Sequence, residues 1–423
     1  MFDRFLSNPG DPVVKHNFLV NTFDGAFYSF AMSFVSLSTV MPVFIKNIGG
    51  SNVAVGLIPV VWTLGFNFPQ VLIANYVRQK KYKKPLLIIT ALGQRLPWLL
   101  LGFLCWFFFN KTSTDLQLIL FFSCLLLAAI AGSINLPGWF NLVAKITPIT
   151  LRGRLFASRS ILGAIFGILG GWIVKLVLDH YSYPVNFSIL LFLAFIIMMV
   201  SYLLLFLIKE KESNASVDTL HYKEFFKRIP SFIIYQKNYR NFLIADSLLI
   251  SSLMADAFYA LYAIKKFTLT DAYAGTFTII MMLSVIFGNI LFGYIADKFG
   301  HRINLMMAAV TSFSACIVSL IAPSPILFYF VFVFSAFTAT LLQLSRLTII
   351  AEICAEEDRP TYIAITNLLT SPFILSGIIG GIIANSFGYK YVFLMAAILS
   401  LSSFLWYLKK VKEPRVLNLA MIT

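Results

Sequence analysis

The sequence predicts an all-α polytopic membrane protein with 12 transmembrane helices, and three observations support this fold class. Of the 423 residues, 59% are hydrophobic and 12% are charged, whereas soluble domains are about one-quarter charged. Apolar windows of about 20 residues, the length that spans a bilayer as a helix, recur along almost the whole chain. Only one polar interruption is long, and it lies near the middle at 209–238.

Charged residues, proline and glycine mark the ends of the apolar segments. The predicted segments are 17–45, 53–75, 86–109, 115–145, 157–179, 185–208, 239–264, 272–295, 303–322, 325–354, 361–387 and 389–408. We therefore expect an N-terminal six-helix bundle over 1–208, a cytoplasmic central loop over 209–238, and a C-terminal six-helix bundle with a cytoplasmic tail over 239–423.

Lysine and arginine predict the orientation of the chain. The sequence has 33 Lys and Arg against 18 Asp and Glu, a formal net charge of +15. Many of the cations fall at 78–84, 151–159 and 409–415 and in the central loop, and positive charge accumulates on cytoplasmic loops. We expect both termini in the cytoplasm, in a bacterial cytoplasmic membrane. The charge is then a topology signal and does not indicate nucleic-acid binding.

Short sequence echoes relate the two halves. LVAKITPITLRG at 142–153 parallels IIAEICAEEDRP at 349–360, and NFLV at 17–20 parallels NFLI at 241–244. Each echo falls at the matching segment of its half, which predicts two pseudo-symmetric bundles built from a repeat.

The loop GYIADKFGHR at 293–302 resembles the signature loop of the major facilitator superfamily. The residues that carry the resemblance are Gly293, Asp297, Gly300 and Arg302, and an arginine follows the fourth segment of each half at Arg152 and Arg359. The resemblance implies that these six residues form a latch, which holds the cytoplasmic ends together in the outward-facing state. We expect Gly293 to allow close helix approach, Gly300 to allow the turn, and Asp297 to pair with Arg302 or Arg359.

A stripe of polar residues on the first segment predicts a wet cavity. Asn17, Asn21, Asp24 and Tyr28 share one helical face, which would be costly against lipid. Asn67 and Gln70 form a similar stripe on the second segment.

Asp24 is the first candidate for proton coupling, and Asp256 is the second. Arg95 lies at a similar predicted depth to Asp24, so the two could pair. The pair is either a proton or ion site whose partner changes during transport, or a static contact between helices. Asp246 lies only a few residues inside its segment, and we expect it at the interface.

Further polar residues are candidates for the substrate cavity. Pro137 predicts a break in the fourth segment, where polar side chains would gather. The candidates are Asn135, Trp139, Asn141, Tyr259, Asn289, Gln343, Arg346 and Asn367.

The sequence lacks the motifs of most enzyme classes. The sequence has no P-loop, no nucleophile motif and no clustered metal ligands, so we expect no enzyme activity and no cofactor. The resemblance implies a secondary active transporter that works as a monomer, moves a small solute by alternating access, and is coupled to protons or another ion. Two alternatives stay open: a lipid or lysolipid translocator of the same fold, or a transporter-derived sensor or assembly protein that binds without transport.

Overall fold

The structure is a computed structural model that describes residues 11–78, 82–210, 236–354 and 359–415. The described residues form α-helices and short 3₁₀ turns, and they divide into two compact units. The first unit holds the described residues of Met1–Ser36, Val61–Thr219 and Asp271–Ile279. The second unit holds those of Leu37–Val60, Leu220–Thr270 and Ile280–Thr423.

The first half of the chain contains seven described helices. They are α1 (Pro12–Phe34), α2 (Val40–Asn47), α3 (Asn52–Arg78), α4 (Lys84–Phe107), α5 (Thr114–Ile146), α6 (Ile149–His180) and α7 (Val185–Leu207). In the first unit α1 packs against α6 and α7, and α4 packs against α5 and α7.

The second half contains eight described helices. They are α8 (Lys237–Ser252), α9 (Tyr259–Lys266), α10 (Tyr273–Phe299), α11 (His301–Ile321), α12 (Pro325–Ile353), α13 (Arg359–Thr370), α14 (Ser376–Ser386) and α15 (Tyr389–Lys410). In the second unit α11 packs against α12 and α15, and α8 packs against α15. The core of this unit includes Tyr239, Phe242, Leu305 and Tyr407, all fully buried.

Local sequence signals explain several helix ends. The Asp11 carboxylate accepts a hydrogen bond from the backbone N–H of Val13 at 2.8 Å and caps α1, with Pro12 at the first helical position. Gly300 and Gly388 precede α11 and α15 with φ of 90° and 96°. A side chain is strained in that left-handed region, so glycine allows these two tight turns.

The predicted fold class is confirmed. Each of the twelve predicted segments coincides with one helix or with a pair of short helices in the described residues. Ten helical stretches there are long and apolar enough to cross a membrane. The helix α1, which carries the polar stripe, is not among the ten. The protein is an integral membrane protein.

The predicted break in the fourth segment is wrong. Helix α5 runs without interruption from Thr114 to Ile146, with Pro137 inside it. The chain instead leaves the α-helical path between α1 and α2, and between α8 and α9, where a 3₁₀ turn spans Leu253–Ala255. Pro137 shows that neighbouring groups in a membrane helix can accommodate the missing N–H.

Glycines bring helices from the two halves of the sequence into backbone contact. In the second unit, a β-carbon at Gly56 of α3 would overlap the carbonyl oxygen of Gly377 on α14. In the first unit, a β-carbon at Gly275 of α10 would overlap that of Gly171 on α6. These helices approach too closely for any side chain larger than hydrogen at the crossing.

Replacing Gly56 by alanine tests this contact. We expect Gly56→Ala to lower the free energy of unfolding by about 1–3 kcal/mol, because α3 and α14 must move apart. The matched control is Gly138→Ala in α5, where a β-carbon meets nothing within 4 Å. That control should be neutral or stabilising by up to about 1 kcal/mol. Thermal unfolding in detergent measures both, and equal stability of the two variants would contradict the contact.

Candidate functional site

A buried ion pair lies at the centre of the first unit. Arg159 of α6 donates from Nη1 to the Asp24 carboxylate on α1, with 3.1 Å between Nη1 and Oδ2. The Ser201 hydroxyl on α7 donates to the other carboxylate oxygen at 2.7 Å. Asp24 is 5% exposed. Side chains from three helices therefore meet at the Asp24 carboxylate.

The Arg159 guanidinium lies in a shaped cradle. Its carbon lies 4.6 Å from the centre of the Trp139 ring, a cation–π distance. A β-carbon at Gly25 would overlap the guanidinium, so the absence of a side chain there makes room for it. Nη1 also donates to the backbone carbonyl and, at 3.1 Å, to the side-chain oxygen of Asn21.

Arg95 joins the same cluster but does not contact Asp24 directly. It donates from Nη2 to Ser201 at 3.0 Å, from Nε to the Met198 carbonyl at 2.9 Å, and from Nη1 to the Ala91 carbonyl at 2.7 Å. The sequence suggested that Arg95 and Asp24 could pair, and the structure instead places Ser201 between them. Ser201 links the two groups, and Arg159 takes the direct position.

Tyr28 completes the stripe on α1. The Gln94 side chain, adjacent to Arg95 on α4, donates to the Tyr28 hydroxyl at 2.8 Å. Of the predicted residues, Asn21, Asp24, Tyr28, Arg95 and Trp139 thus gather in one place.

Sequence reasoning missed Arg159 because of a helix boundary. The basic residues at 151–159 suggested a loop, but α6 begins at Ile149. Arg159 then lies about 15 Å along the helix at 1.5 Å rise per residue. Local spacing gave little signal, because the apolar residues of 149–160 do not share one helical face.

The second unit holds another buried ion pair, which the sequence did not predict. Arg346 of α12 donates from Nε to both oxygens of Asp246 on α8, at 2.8 and 3.1 Å. Arg346 also donates to the side chains of Asn367 at 3.3 Å and Thr370 at 2.7 Å. Asp246 is fully buried among protein side chains, and its expected position near the membrane interface stays a prediction.

Asp256 lies in the break between α8 and α9. Its carboxylate accepts a hydrogen bond from the Ser335 hydroxyl at 3.2 Å. Among the described residues no basic side chain contacts it. The nearby Tyr259 hydroxyl contacts the Cys316 sulfur at 3.3 Å and does not face an open cavity, because Tyr259 is 2% exposed.

Asn135, Asn141 and Asn289 have hydrogen bonds to groups outside these clusters. Asn135 accepts a hydrogen bond from Thr90 at 3.1 Å, and Asn141 and Asn289 donate to carbonyls of their own helices. Asn67 is half-buried, and Gln343 is exposed on α12. The side chain of Gln70 lies outside the described residues.

The predicted latch residues occupy helix ends, but with different partners from those expected. Arg302 donates to the carbonyls of Tyr407 and Leu408, at 3.1 and 2.9 Å, and not to Asp297. The Asp297 side chain is exposed, and its backbone carbonyl accepts from Arg415 at 3.0 Å. Of the two expected partners of Asp297, Arg302 is wrong, whereas Arg359 and the latch role itself stay predictions.

The arginines share a simple electrostatic function. Arg152 donates to the Thr147 carbonyl at 3.2 Å, and Arg359 donates to the Ala351 carbonyl at 3.3 Å. Like Arg302, each satisfies carbonyls at the negative C-terminal end of a helix. Gly300 has the expected turn conformation. A β-carbon at Gly293 would meet nothing within 4 Å among the described residues, so the expected close helix approach is not seen there.

Two glutamates repeat the same arrangement in the two units. Glu210 accepts from the backbone N–H of Lys83 and Lys84, both at 2.9 Å, at the start of α4, and it pairs with Lys145 at 2.8 Å. Glu413 lies against Gly300 at the start of α11, where a β-carbon would come within 2.6 Å of its carboxylate. Negative charge stabilises a helix N-terminus, so each glutamate caps one helix.

Burial and neighbouring charges change the pKa values of two side chains at these helix ends. Burial, together with the nearby Glu352 carboxylate, raises the pKa of Glu413. Burial and the Lys145 ammonium lower the pKa of Lys83, while Glu210 opposes that change. The repeat also swaps charges: Lys145 occupies the place of Glu352, which pairs with Arg415 at 2.8 Å.

The same asparagine clasp occurs in both halves and corrects the register of the sequence echo. Asn17 donates to the Lys209 carbonyl and accepts from its N–H, both at 2.9 Å. Asn238 makes the same pair of bonds to Lys412, at 3.1 and 2.8 Å. The sequence echo had aligned Asn17 with Asn241, one helical turn later.

Comparison with known proteins agrees with this architecture. Residues 244–421 match the sequence model of the Major Facilitator Superfamily. This match covers the C-terminal part of the chain, and the whole chain has the fold of that superfamily. The predicted resemblance is confirmed.

Solved transporters support the fold over nearly the full length. A variant of the nucleoside transporter NupG is 13% identical, with a TM-score of 0.75 over 94% of this chain and 100% of that chain. A D-xylose-proton symporter is 16% identical, with a TM-score of 0.70 over 94% and 98%. A bacterial homologue of the human lysosomal transporter Spinster is 12% identical, with a TM-score of 0.63 over 94% and 95%. No curated protein matches the sequence significantly.

A double-mutant cycle tests the ion pair between Asp24 and Arg159. We expect Asp24→Asn to lower the free energy of unfolding by about 3–5 kcal/mol, because Arg159 keeps a buried charge without its counter-charge. Adding Arg159→Gln should recover part of that loss, giving a coupling energy of about 1–3 kcal/mol.

The control for this cycle is Asp115→Asn at the exposed first turn of α5, which should change stability by less than about 0.5 kcal/mol. Unfolding in detergent is measured for the wild type, the two single variants, the double variant and the control. Strictly additive effects of Asp24→Asn and Arg159→Gln would refute the pair.

Proposed function

We propose that the protein is a secondary active transporter, which moves a small solute across the membrane by alternating access and couples that movement to protons. The observation that carries the proposal is the burial of charged groups deep in apolar helices of both units. Burying charge is costly, and ionisable groups at membrane depth mark transport pathways by default. The membrane lipids and the solute are the expected partners, and the monomer is the expected working form.

The glycine contacts supply a mechanism for alternation. Gly56 with Gly377, and Gly275 with Gly171, join helices from the two halves of the sequence. In a rocking mechanism these contacts separate when the halves turn against each other. The absence of side chains lets each contact form and break without interlocked groups.

Asp256 is better suited than Asp24 to carry the proton. Arg159 and Ser201 already compensate the Asp24 carboxylate. Asp256 receives one hydroxyl hydrogen bond, and no basic side chain among the described residues balances its charge. A proton bound there removes an uncompensated buried charge, and its release requires access to water. The D-xylose-proton symporter shares the fold and provides a precedent for proton coupling.

Exchange and accumulation together test this assignment. Solutes that raise thermal stability by mass action are selected first, and their uptake into proteoliposomes is then measured. A membrane potential of 100 mV supplies about 2.3 kcal/mol per charge, or about fiftyfold accumulation of a neutral solute. We expect Asp256→Asn to lose proton-driven accumulation and to keep counterflow.

The same assay shows whether Asp24 acts in folding or in proton coupling, and it distinguishes a transporter from a sensor. Asp24→Asn, the change that the sequence favoured, should weaken folding more than coupling, and Asp115→Asn serves as the unaffected control. Full accumulation by Asp256→Asn would refute its proton role. Binding without any counterflow would show a sensor and refute transport.

A lipid translocator is the second candidate. The observation that favours it is an apolar cavity of about 520 Å³ in the first unit, lined by residues of α4 and α5 such as Gly93, Leu100 and Ile134. Movement of a fluorescent lysolipid between leaflets, dependent on the protein, would support this candidate over the small-solute transporter.

A further inference from the structure

The polar cluster of the first unit carries more positive than negative charge. Two guanidinium groups, Arg95 and Arg159, lie within it. Of the described residues, Asp24 is the carboxylate that contacts the cluster, through Arg159 and Ser201. Arginine stays protonated in proteins, so the cluster has one uncompensated positive charge at membrane depth. Such a charge favours an anion beside it.

The unsatisfied groups of the cluster are hydrogen-bond donors. Asn21 is 0% exposed, and its amide nitrogen has no hydrogen-bond partner among the described residues. Arg159 directs Nη1 at Asn21 and Asp24, while its Nε and Nη2 have no bonds to described residues. Leaving the buried Asn21 donor unpaired is costly, so an acceptor beside it would be stabilising. The free Arg159 donors belong to a side chain that is partly exposed, so an incoming acceptor can reach them.

The free groups of Arg159 have a specific shape. Nε–H and Nη2–H lie along one edge of the planar guanidinium, the edge that binds carboxylate or phosphate oxygens in a bidentate manner. Gly25 and Trp139 fix the plane of the guanidinium, so this edge has a defined direction. The Arg159 side chain keeps 15% of its surface exposed, which leaves access to that edge.

We propose that Arg159, Asn21 and Trp139 form a binding site for an oxyanion group, and that the transported solute is an organic anion. The inference rests on the proposed transport function and specifies the substrate class. The solute's carboxylate or phosphate oxygens accept from Arg159 Nε and Nη2, and from the Asn21 amide. The solute's charge then balances the second arginine of the cluster.

The anion site can be tested without knowing the solute. Iodide is an anion that quenches tryptophan fluorescence, and Trp139 lies directly beside Arg159. The Trp139 signal is the difference between the wild-type protein and Trp139→Phe, titrated with iodide and, at equal ionic strength, with caesium. We expect saturable quenching of Trp139 by iodide and none by caesium. Equal, non-saturating quenching by both ions would overturn the proposal.

Asn21→Asp is the decisive variant. It keeps the shape of the side chain, places a carboxylate beside Arg159, and supplies the missing negative charge. We expect at least about tenfold weaker iodide affinity, which corresponds to 1.4 kcal/mol, with unchanged or higher thermal stability. Asn141→Asp, at an exposed position on α5, is the matched control and should bind iodide normally. Unchanged iodide affinity in Asn21→Asp would refute the site.

A panel of matched acids and amides separates the substrate class from transport itself. Thermal shift is measured with benzoate and benzamide, nicotinate and nicotinamide, lactate and lactamide, and inorganic phosphate. We expect an anion to stabilise the wild-type protein more than its neutral partner, and Arg159→Gln and Asn21→Asp to remove that difference. Preference for the amides, or no stabilisation by any anion, would overturn the anionic class. Anion binding without counterflow would instead refute transport and leave the site intact.

Discussion

Compensation of buried charge is the constraint on which the rest of the structure depends. Helices surrounded by lipid have no water to solvate a guanidinium or a carboxylate, so partners must come from neighbouring helices. Asp24 meets this requirement with α6 and α7, and Asp246 meets it with α12. Each ion pair therefore fixes which helices are neighbours and at what depth they meet.

The helix ends follow the same electrostatic rule at the membrane surface. The carboxylates of Glu210 and Glu413 lie at helix N-termini. The guanidinium of Arg302 binds a carbonyl at the C-terminal end of a neighbouring helix, α15. The backbone itself thus acts as a partner for charged side chains. This explains why a charged loop can be short: its charges bind helix ends directly, and they need no long excursion into water.

The sequence predicted the fold more successfully than the site. Apolar length alone located the twelve segments, because the bilayer sets that length whatever the packing. Helix ends were the weak point, since basic residues at 151–159 looked like a loop although α6 includes them. That error concealed Arg159. The polar stripe on α1 was found because its spacing is local, whereas its partners depend on packing that no single segment encodes.

The asparagine clasps show how a duplicated protein can divide its duties. Asn17 with Lys209, and Asn238 with Lys412, fasten equivalent helices in the two halves in the same way. The charged clusters use different helices: α6 supplies the arginine in one half, and α12 supplies it in the other. Because the clasps hold both halves in the same way, the charged residues inside each half can differ. A new specificity can then arise by altering the interior of one copy while the ancestral framework of both endures.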